Sequence, residues 1–359
     1  MNKAQFAAKG SPFYDDLLSE IDQYFKSTNR KRTGDWRLFS KSIILLTAFF
    51  SLYILIVFVL PIGWISFLLS GLFGLVMALI GFNVMHDACH GSYSSSHALN
   101  EVMSYTMNLL GSNQYIWKLK HNRIHHTFTN IDGIDDDIMK VPVLRHCESQ
   151  PHKKIHRYQH VYMFFLYAIS TILWALLTDS DKYFKRSVSG TPMRIPLSEH
   201  IIFWVSKAFY IASYIVVPIM LLGFKPFFIG YLFFNAIFGL TLSLVFQMAH
   251  AVEATDFHDA NNKNLSIEDE WAIHQIKTTA DFAPASGVAN WMLGGLNFQV
   301  IHHLVPGISH VHYRDIQPII AKVCERHGVR YNVYRTFGMA MKSHIAYLRW
   351  LGNPPLKVA

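Results

Sequence analysis

The sequence is poor in charge, since Asp, Glu, Lys and Arg make up 16% of its 359 residues while 51% are hydrophobic. No residue of these four types lies between Lys41 and Asp87. Soluble domains average about 25% charged residues, so this composition excludes an ordinary soluble fold. A spanning helix needs about 20 apolar residues, and this run is long enough for two, joined at Pro61-Ile62-Gly63. The chain is therefore predicted to be a membrane protein.

Cysteine is also scarce, with three residues, Cys89, Cys147 and Cys324. An odd number without a paired spacing excludes a disulfide framework and predicts three reduced thiols. The apolar run starts too late, and is too long, to be the hydrophobic part of a signal peptide. The sequence contains no internal repeat and no low-complexity tract, which excludes repeat architectures.

The formal net charge of +8 raises the question of a nucleic-acid partner. The basic residues flank apolar runs and form no folded basic domain, so nucleic acid is excluded as a partner. Before the first predicted span lie Lys26, Arg30, Lys31, Arg32, Arg37 and Lys41. By the positive-inside rule, this cluster predicts a cytoplasmic N-terminus.

The apolar runs predict an all-α membrane protein with about four transmembrane helices and one interfacial helix, capped by a cytoplasmic histidine-rich domain. The predicted spans are residues 43–60, 64–83, 201–224 and 227–249, and the interfacial helix is residues 161–178. Residues 1–41 are expected to form a cytoplasmic N-terminal segment, residues 42–340 the main domain, and residues 341–359 a C-terminal tail.

The predicted helix at 161–178 decides whether the histidine-rich segments 86–126 and 250–303 share one face of the membrane. If it crossed the bilayer, three crossings would place the two segments on opposite faces. If it lies in the interface, two crossings intervene and both segments are cytoplasmic. Basic residues from Lys182 to Arg194 favour the second arrangement. The alternative is five spans, which would separate the histidines.

Histidine is abundant, with 20 residues, and its spacing is more informative than its number. Three clusters each abut an apolar run, and their sequences are His86-Asp-Ala-Cys-His90, His121-Asn-Arg-Ile-His125-His126 and Gln299-Val-Ile-His302-His303. Side chains four residues apart share a helical face, so each cluster predicts a pair of groups on one side of a helix. His250 lies where the last predicted span ends. One such pair alone is weak evidence of a metal site.

Together the clusters supply seven imidazoles, and His250 makes eight. One metal does not coordinate so many, so two metals are implied. The sequence has no Glu-x-x-His pairs on facing helices, which excludes the soluble di-iron carboxylate arrangement. A zinc hydrolase needs about three protein ligands and a carboxylate base. Imidazole is a good iron ligand, and two irons held by nitrogen fit best.

The three clusters, HDACH, HNRIHH and QVIHH, occur in the order of the three histidine boxes of the membrane fatty acid desaturases. The sequence resembles this family from about residue 40 to residue 340. The flanking strings HHTFTNIDGIDDDI and NFQVIHHLVPGISHVHY resemble the front-end branch, which includes linoleoyl-CoA (delta-6) type enzymes. That branch carries glutamine at the first position of its third box, as Gln299 does here.

The resemblance implies a fatty acid desaturase that places a cis double bond in a long acyl chain, at a front-end (delta-5 or delta-6) position. It implies two iron ions at the cytoplasmic face, with dioxygen as co-substrate and two external electrons. The implied iron ligands are His86, His90, His121, His125, His126, His250, His302 and His303. His250 takes its place by position, as the histidine outside the boxes that completes the set.

The resemblance also implies partners. The substrate is a long-chain acyl group carried by CoA or by a lipid. The chain has no HPGG haem signature, and its first 41 residues are too short for a fused cytochrome b5 domain. Electrons are therefore expected from a separate donor, such as cytochrome b5 or ferredoxin with its reductase. The protein would lie in the inner membrane of a bacterium or the endoplasmic reticulum of a eukaryote.

Basic residues near the second box, Lys118, Lys120, Arg123, Lys153, Lys154 and Arg157, predict a docking face for an acidic donor.

Several polar residues beside the boxes have two interpretations. Gln299 is expected to be a weak ligand or to orient a ligand or water, and Asp87 and Asp135 to accept the free ring N–H of a ligand histidine. Asp132, Asp136 and Asp137 are candidates for the same role. For any single aspartate, a solvated acidic loop is an equal alternative. Histidines outside the boxes are expected mostly at the surface, with His274 near the substrate headgroup.

Other functions stay open at this point. A sister hydroxylase, ketolase, acetylenase or alkane oxygenase would use the same scaffold. A receptor or metal transporter is a different class, but a transporter carries ionisable groups within its spans, and we expect none there. A zinc-dependent membrane hydrolase is the third alternative.

Overall fold

The computed structural model describes residues 4–6, 12–138, 141–260 and 265–354, and these residues are mostly helical. In chain order the helices are α1 (Pro12–Thr28), α2 (Trp36–Val59), α3 (Trp64–Cys89), α4 (His97–Ser104), α5 (Thr106–Leu109), α6 (Gln114–Trp117), α7 (Lys154–Lys185), α8 (Leu197–Leu222), α9 (Phe224–His250), α10 (Trp271–Lys277), α11 (Gly287–Met292), α12 (Gln299–Leu304), α13 (Tyr313–Arg326) and α14 (Phe337–Gly352). A π-helical segment, Lys118–His125, continues α6. The predicted all-α fold is confirmed.

Strands are limited, among the described residues, to four pairs of two residues each. Three pairs are parallel and one is antiparallel. In chain order the strands are β1 (Gln5–Phe6), β2 (Ile131–Asp132), β3 (Ser187–Val188), β4 (Thr191–Pro192), β5 (His258–Asp259), β6 (Ser266–Ile267), β7 (Asp281–Phe282) and β8 (Val333–Tyr334). The pairs are β1 with β6, β2 with β5, β3 with β4 and β7 with β8. These bridges fix loops and form no layer of their own.

Five described helices, α2, α3, α7, α8 and α9, are long and apolar enough to cross a membrane. Many of their large apolar side chains are exposed, such as Ile43, Phe58 and Met220. A water-soluble protein would bury side chains of this kind, whereas a membrane protein can leave them in contact with lipid. The protein is a multi-pass membrane protein, as predicted.

Helix α7 is longer than its predicted range of 161–178, because it begins with a 3₁₀ turn and ends with a polar helical turn. It is therefore a fifth candidate span by length and composition, where four were expected. However, the rings of His125 and His250, which flank α7, α8 and α9 in sequence, have centroids 4.8 Å apart. Both histidines must lie on one side of a bilayer, which requires an even number of crossings between them. Two full crossings with α7 in the interface would satisfy this requirement, and the interfacial placement of α7 stays a prediction.

The chain divides into two compact units that interleave along the sequence. The first unit contains Met1–Thr33, Leu119–Met163 and Val245–Ala359, and the second contains Gly34–Lys118 and Phe164–Leu244. The predicted boundaries at residues 41 and 340 stay a prediction.

The core of the first unit forms around α1. Its buried side chains Phe13, Leu17, Ile21 and Phe25 recur every four residues and so line one face. This face joins a single apolar cluster with α12 and α13. The N-terminal segment, expected only as a polar lead-in, thus supports the helix that carries the third histidine box.

The second unit brings α3 and α9 into close contact. A Cβ atom placed on Gly74 would overlap the backbone oxygen of Phe234, and one on Gly71 would overlap the Phe233 ring. Small residues at such positions let two membrane helices approach closely.

We expect Gly74→Ala to destabilise the protein by about 1–3 kcal/mol, because the added methyl meets a backbone atom that has no rotamer to move into. Gly230→Ala, on the facing helix, is the matched control, since the nearest atom to its added Cβ is Ser70 Oγ at 3.9 Å. The measurement is the apparent melting temperature of each variant in the same detergent. Equal melting temperatures for both variants would show that this helix contact is not tight.

A buried lysine in the second unit shows that the expectation of spans without ionisable groups was wrong. Lys207, in α8, is buried, and its Nζ donates to the carbonyl oxygens of Gly111 at 2.9 Å and Ala175 at 2.5 Å. The Asp179 carboxylate lies 3.9 Å away and accepts from Ser112 and Trp174. The cation is thus fully engaged in joining α7, α8 and the turn after α5, which is a structural role.

Candidate metal centre

Six imidazoles meet inside the first unit. The second-box rings come from the π-helical segment and the residue after it, His250 ends α9, and the third-box rings come from α12. Each of these rings, His121, His125, His126, His250, His302 and His303, is at most 5% exposed. Buried histidines in such number require either bonding partners or a cation.

The π-helical winding explains the spacing of the second box. His126 N donates to His121 O at 3.1 Å, which is a bond between residues five apart. In this winding, residues four and five positions apart lie on the same side, so His121, His125 and His126 all face the cluster. An α-helix would have turned His126 away. Such π-helical turns are frequent at functional sites.

The ring nitrogens form overlapping groups. Ligand atoms of His125, His250 and His303 lie within 4.8 Å of one another, and so do those of His126, His302 and His303. His303 belongs to both groups, and the Nε2 atoms of His121 and His126 are 3.3 Å apart. The arrangement therefore offers nitrogen ligands to more than one metal ion.

Carboxylates determine which nitrogen of the second-box rings carries hydrogen. His125 Nδ1 is 2.9 Å from Asp135 Oδ2, and His121 Nδ1 is 2.8 Å from an Asp137 oxygen. A carboxylate only accepts, so each Nδ1 must donate and each Nε2 keeps its lone pair. The structure thus places Asp135 beside one ring of the second box and Asp137 beside another, and support of a metal ligand stays a prediction for Asp135.

The donor set fits a transition metal. His125 Nε2 is buried and has no hydrogen-bond partner among the residues that the structure describes. A buried lone pair without a donor is costly unless a cation binds it. Imidazole nitrogen with a carboxylate on the opposite ring atom is the usual arrangement of a metal-binding histidine.

Protonation of the cluster follows from burial and neighbouring charges. Burial holds the pKa of His121 and of His303 well below the ordinary value, so both rings are neutral. Burial also opposes the charged form of His125, but Asp135 and Asp137 outweigh it and raise the pKa of this ring. A metal at His125 therefore competes with a proton and binds less well in acid.

Gln299 lies between two of the rings. Its amide nitrogen is 3.0 Å from His250 Nε2 and 3.4 Å from His303 Nε2, and the residue is 2% exposed. A half-turn of the carboxamide exchanges its oxygen and nitrogen, so the oxygen can also take the position between these two rings. The side chain therefore faces the centre, where the sequence predicted a weak ligand or an orienting group.

Asp281 fixes the start of α12. Its Oδ1 accepts from Val300 N at 2.9 Å, and the Tyr331 hydroxyl donates to its other oxygen. Burial raises the pKa of this carboxyl to about 7. This aspartate lies far from the boxes in sequence and was not predicted.

The first box lies in the second unit. The ring centroids of His86 and His90 are 4.8 Å apart, and both rings pack edge-on against Trp117. His86 and the neighbouring Asp87 are buried, at 5% and 2% exposure. The i,i+4 pair thus faces one side of α3, as the sequence predicted.

Other acidic residues beside the boxes have different partners. Asp132 accepts from Ser149 and Gln150. Lys120 pairs with Asp137, and Lys118 pairs with Glu101 at 2.8 Å. Two of the six basic residues of the expected docking face are therefore already neutralised.

Several histidines expected at the surface are buried. They are His146, His156, His274, His310 and His312. His274 is 0% exposed, and its Nε2 lies 2.9 Å from Thr129 O. Burial lowers the pKa of His274 to about 4, so this ring is a neutral interior group, which argues against the expected position near a headgroup.

Residues 61–335 match the fatty acid desaturase family. The sn-1 linoleoyl-lipid 6-desaturase of Arthrospira platensis is 35% identical, over 97% of this chain and 95% of that protein. The protein of the same name from Synechocystis is 32% identical, over 94% of both chains. The acyl-lipid (8-3)-desaturase of Physcomitrium patens is 34% identical, over 96% of this chain and 72% of the relative.

Proposed function

The chain belongs to the fatty acid desaturase family, and from that premise we propose that it is a front-end desaturase of lipid-linked acyl chains. It is an oxidoreductase acting on fatty acyl groups. The observation that supports a metal-dependent oxidation is the buried cluster of six imidazoles, with tautomers set by Asp135 and Asp137.

The proposed reaction converts two adjacent methylenes to a cis double bond. The two hydrogens, dioxygen, two external electrons and two protons leave as two molecules of water. Two iron ions would supply the oxidising power, which no side chain offers. The proposed ligands are those predicted from the sequence: His86, His90, His121, His125, His126, His250, His302 and His303.

The protein's own residues would then hold the site and keep it dry. Asp135 and Asp137 keep the Nε2 lone pairs of two rings toward the centre. The apolar neighbours Val300, Ile301 and Leu304 on α12 are at most 1% exposed and exclude water from that side. Gln299 is proposed to orient a ligand or water, and Asp87 to support the first box.

The relatives suggest the acyl carrier and the position of attack. Two of them are named for the 6-position of a linoleoyl group at sn-1 of a lipid, and others as acyl-lipid desaturases. We therefore favour a glycerolipid over CoA as carrier, and a new double bond between an existing one and the carboxyl end.

Metal and carrier are tested on one purified preparation. We expect about two irons per chain and negligible zinc by elemental analysis, and turnover of a lipid-linked linoleoyl group in preference to linoleoyl-CoA. One zinc and no iron would favour a hydrolase instead. A hydroxylated product would assign the chain to a sister oxygenase.

Electrons are proposed to come from an acidic soluble donor that docks on the cytoplasmic side. Four basic residues, Arg123, Lys153, Lys154 and Arg157, remain exposed and lie in one unit. Complementary charge steers such encounters and raises their rate by about tenfold or more at low salt.

Donor-limited turnover should therefore fall as ionic strength rises, and Lys154→Glu should lower it at low salt by repelling an acidic donor. Lys322→Glu, an equal charge change at another exposed lysine of the same unit, is the control. The measurement is turnover against donor concentration at two salt concentrations. Salt-independent turnover, or equal loss in both variants, would contradict a specific docking face.

A further inference from the structure

We infer that Gln275 is a positioning residue that holds the His303 imidazole in its metal-binding tautomer. The inference rests on the proposed function of the histidine cluster as a metal centre. Gln275 lies in α10, outside every box, and is 0% exposed. Its Oε1 is 2.8 Å from His303 Nδ1.

The hydrogen atoms around this contact can be assigned by counting donors. Thr129 Oγ1 lies 2.8 Å from Gln275 Oε1, 3.1 Å from His303 Nδ1 and 2.7 Å from His125 O. The Thr129 hydroxyl has one hydrogen, which it donates either to His125 O or to Gln275 Oε1. With either choice, the two atoms near His303 Nδ1 are the hydroxyl oxygen and the carboxamide oxygen, and the carboxamide oxygen can only accept. With the carboxamide in this orientation, His303 Nδ1 donates to Gln275 Oε1, which leaves the Nε2 lone pair for a metal.

The orientation of the carboxamide decides the outcome. If it were reversed, its N–H groups would face His303 Nδ1, which would then accept, and the ring hydrogen would move to Nε2. A ring with hydrogen on Nε2 presents no lone pair to the cluster. Gln275 thus acts on the one histidine that belongs to both groups of ligand atoms.

The backbone of α10 is held firmly against the second box. Trp271 Nε1 donates to His126 O at 3.0 Å, and His274 Nε2 lies 2.9 Å from Thr129 O. The Thr279 hydroxyl donates to Gln275 O itself, at 2.5 Å. The helix that carries Gln275 is therefore fixed relative to the second box, while Thr129 and His303 contact the carboxamide itself, as positioning of a ligand requires.

Gln275 also differs from the partners of the other rings. His121 and His125 each face a carboxylate, whereas His303 faces a neutral acceptor. A neutral acceptor fixes the tautomer without stabilising a charged ring. His303, already shared between two groups, is thereby kept as a neutral imidazole.

The test is metal binding by the full-length protein in detergent, titrated anaerobically with Fe(II) and separately with Co(II). Gln275→Leu keeps the volume but removes the acceptor, and should weaken Fe(II) binding by about 10–100-fold. Gln275→Glu keeps an acceptor and should bind within a few-fold of the unaltered protein, with a shifted Co(II) visible spectrum because the acceptor gains charge.

Gln159→Leu is the matched control, because Gln159 is equally buried but bonds to Arg145 and Leu348, away from the cluster. It should bind both metals normally. Unchanged Fe(II) affinity and Co(II) spectrum in Gln275→Leu would overturn the positioning role, as would equal losses in Gln275→Leu and Gln159→Leu. If the unaltered protein bound neither metal, the proposed metal centre would fail, and this inference with it.

Discussion

Replacing His303 by alanine should abolish desaturation and remove most of the bound iron. The reason is that His303 belongs to both groups of ligand atoms, with ring centroids 4.9 Å from His125 and 4.3 Å from His126. Its Nε2 has one lone pair and binds one metal ion, so the substitution removes a ligand from that ion, and the cavity left by the ring loosens the neighbouring histidines of both groups. Product formation and iron content are measured on the same preparation.

The control for this substitution is His97→Ala. His97 is exposed at the start of α4 and lies outside the boxes, so its variant should retain turnover and iron. Membrane insertion and the elution profile in detergent should match for both variants. Full turnover by His303→Ala would show that the shared ring is not a ligand.

Gln299→Ala should cause the second largest loss, larger than that of Gln299→His. The carboxamide lies between His250 and His303, so alanine removes the polar group that faces both rings and leaves a cavity. Imidazole is itself an iron ligand, so Gln299→His should retain part of the turnover. A carboxamide binds metal less strongly than imidazole, which should make the two irons unequal in the unaltered protein.

The measurements for this pair are product formation, iron content and the Mössbauer spectrum of iron-loaded protein. The unaltered protein should show two distinct iron environments, and Gln299→His should bring them closer together. Turnover by Gln299→Ala equal to that of the unaltered protein would show that the carboxamide only fills space.

The sequence allowed the membrane class, the approximate positions of the long helices and the six clustered histidines to be predicted. Hydropathy reports apolar length, and metal-binding residues recur at a fixed helical spacing, so both signals are local. The parity argument for the helices between the boxes stays a prediction, but the contact between the His125 and His250 rings agrees with its premise that both segments lie on one face.

What could not be predicted depends on contacts between distant segments. Gln275 meets Thr129 across 146 residues and His303 across 28, and no local pattern marks such a meeting. The π-helical winding at Lys118–His125 was also missed, because its sequence resembles an ordinary helical turn. Lys207 was overlooked within an apolar run, because its two carbonyl partners come from α7 and from the turn after α5.

The acidic loop after the second box contains three aspartates that have different hydrogen-bond partners. Asp135 and Asp137 bond to ligand histidines, whereas Asp132 bonds to Ser149 and Gln150. All three lie within six residues, so composition could not separate them. The backbone turn decides, since Asp135 also accepts from Asn130 N and Asp137 N and is thereby aimed inward.

The most direct test of the central claim is the acyl composition of a host that expresses this chain and is supplied with linoleate. Total lipids are converted to methyl esters, and double-bond positions are located by mass spectrometry, with the His303→Ala protein at equal abundance as the reference. We expect a new acyl species with one more cis double bond, on the carboxyl side of the existing ones, in cells with the unaltered protein alone. An unchanged acyl profile, or the same new species in cells with His303→Ala, would contradict the assignment of the histidine cluster as the centre of an acyl desaturase.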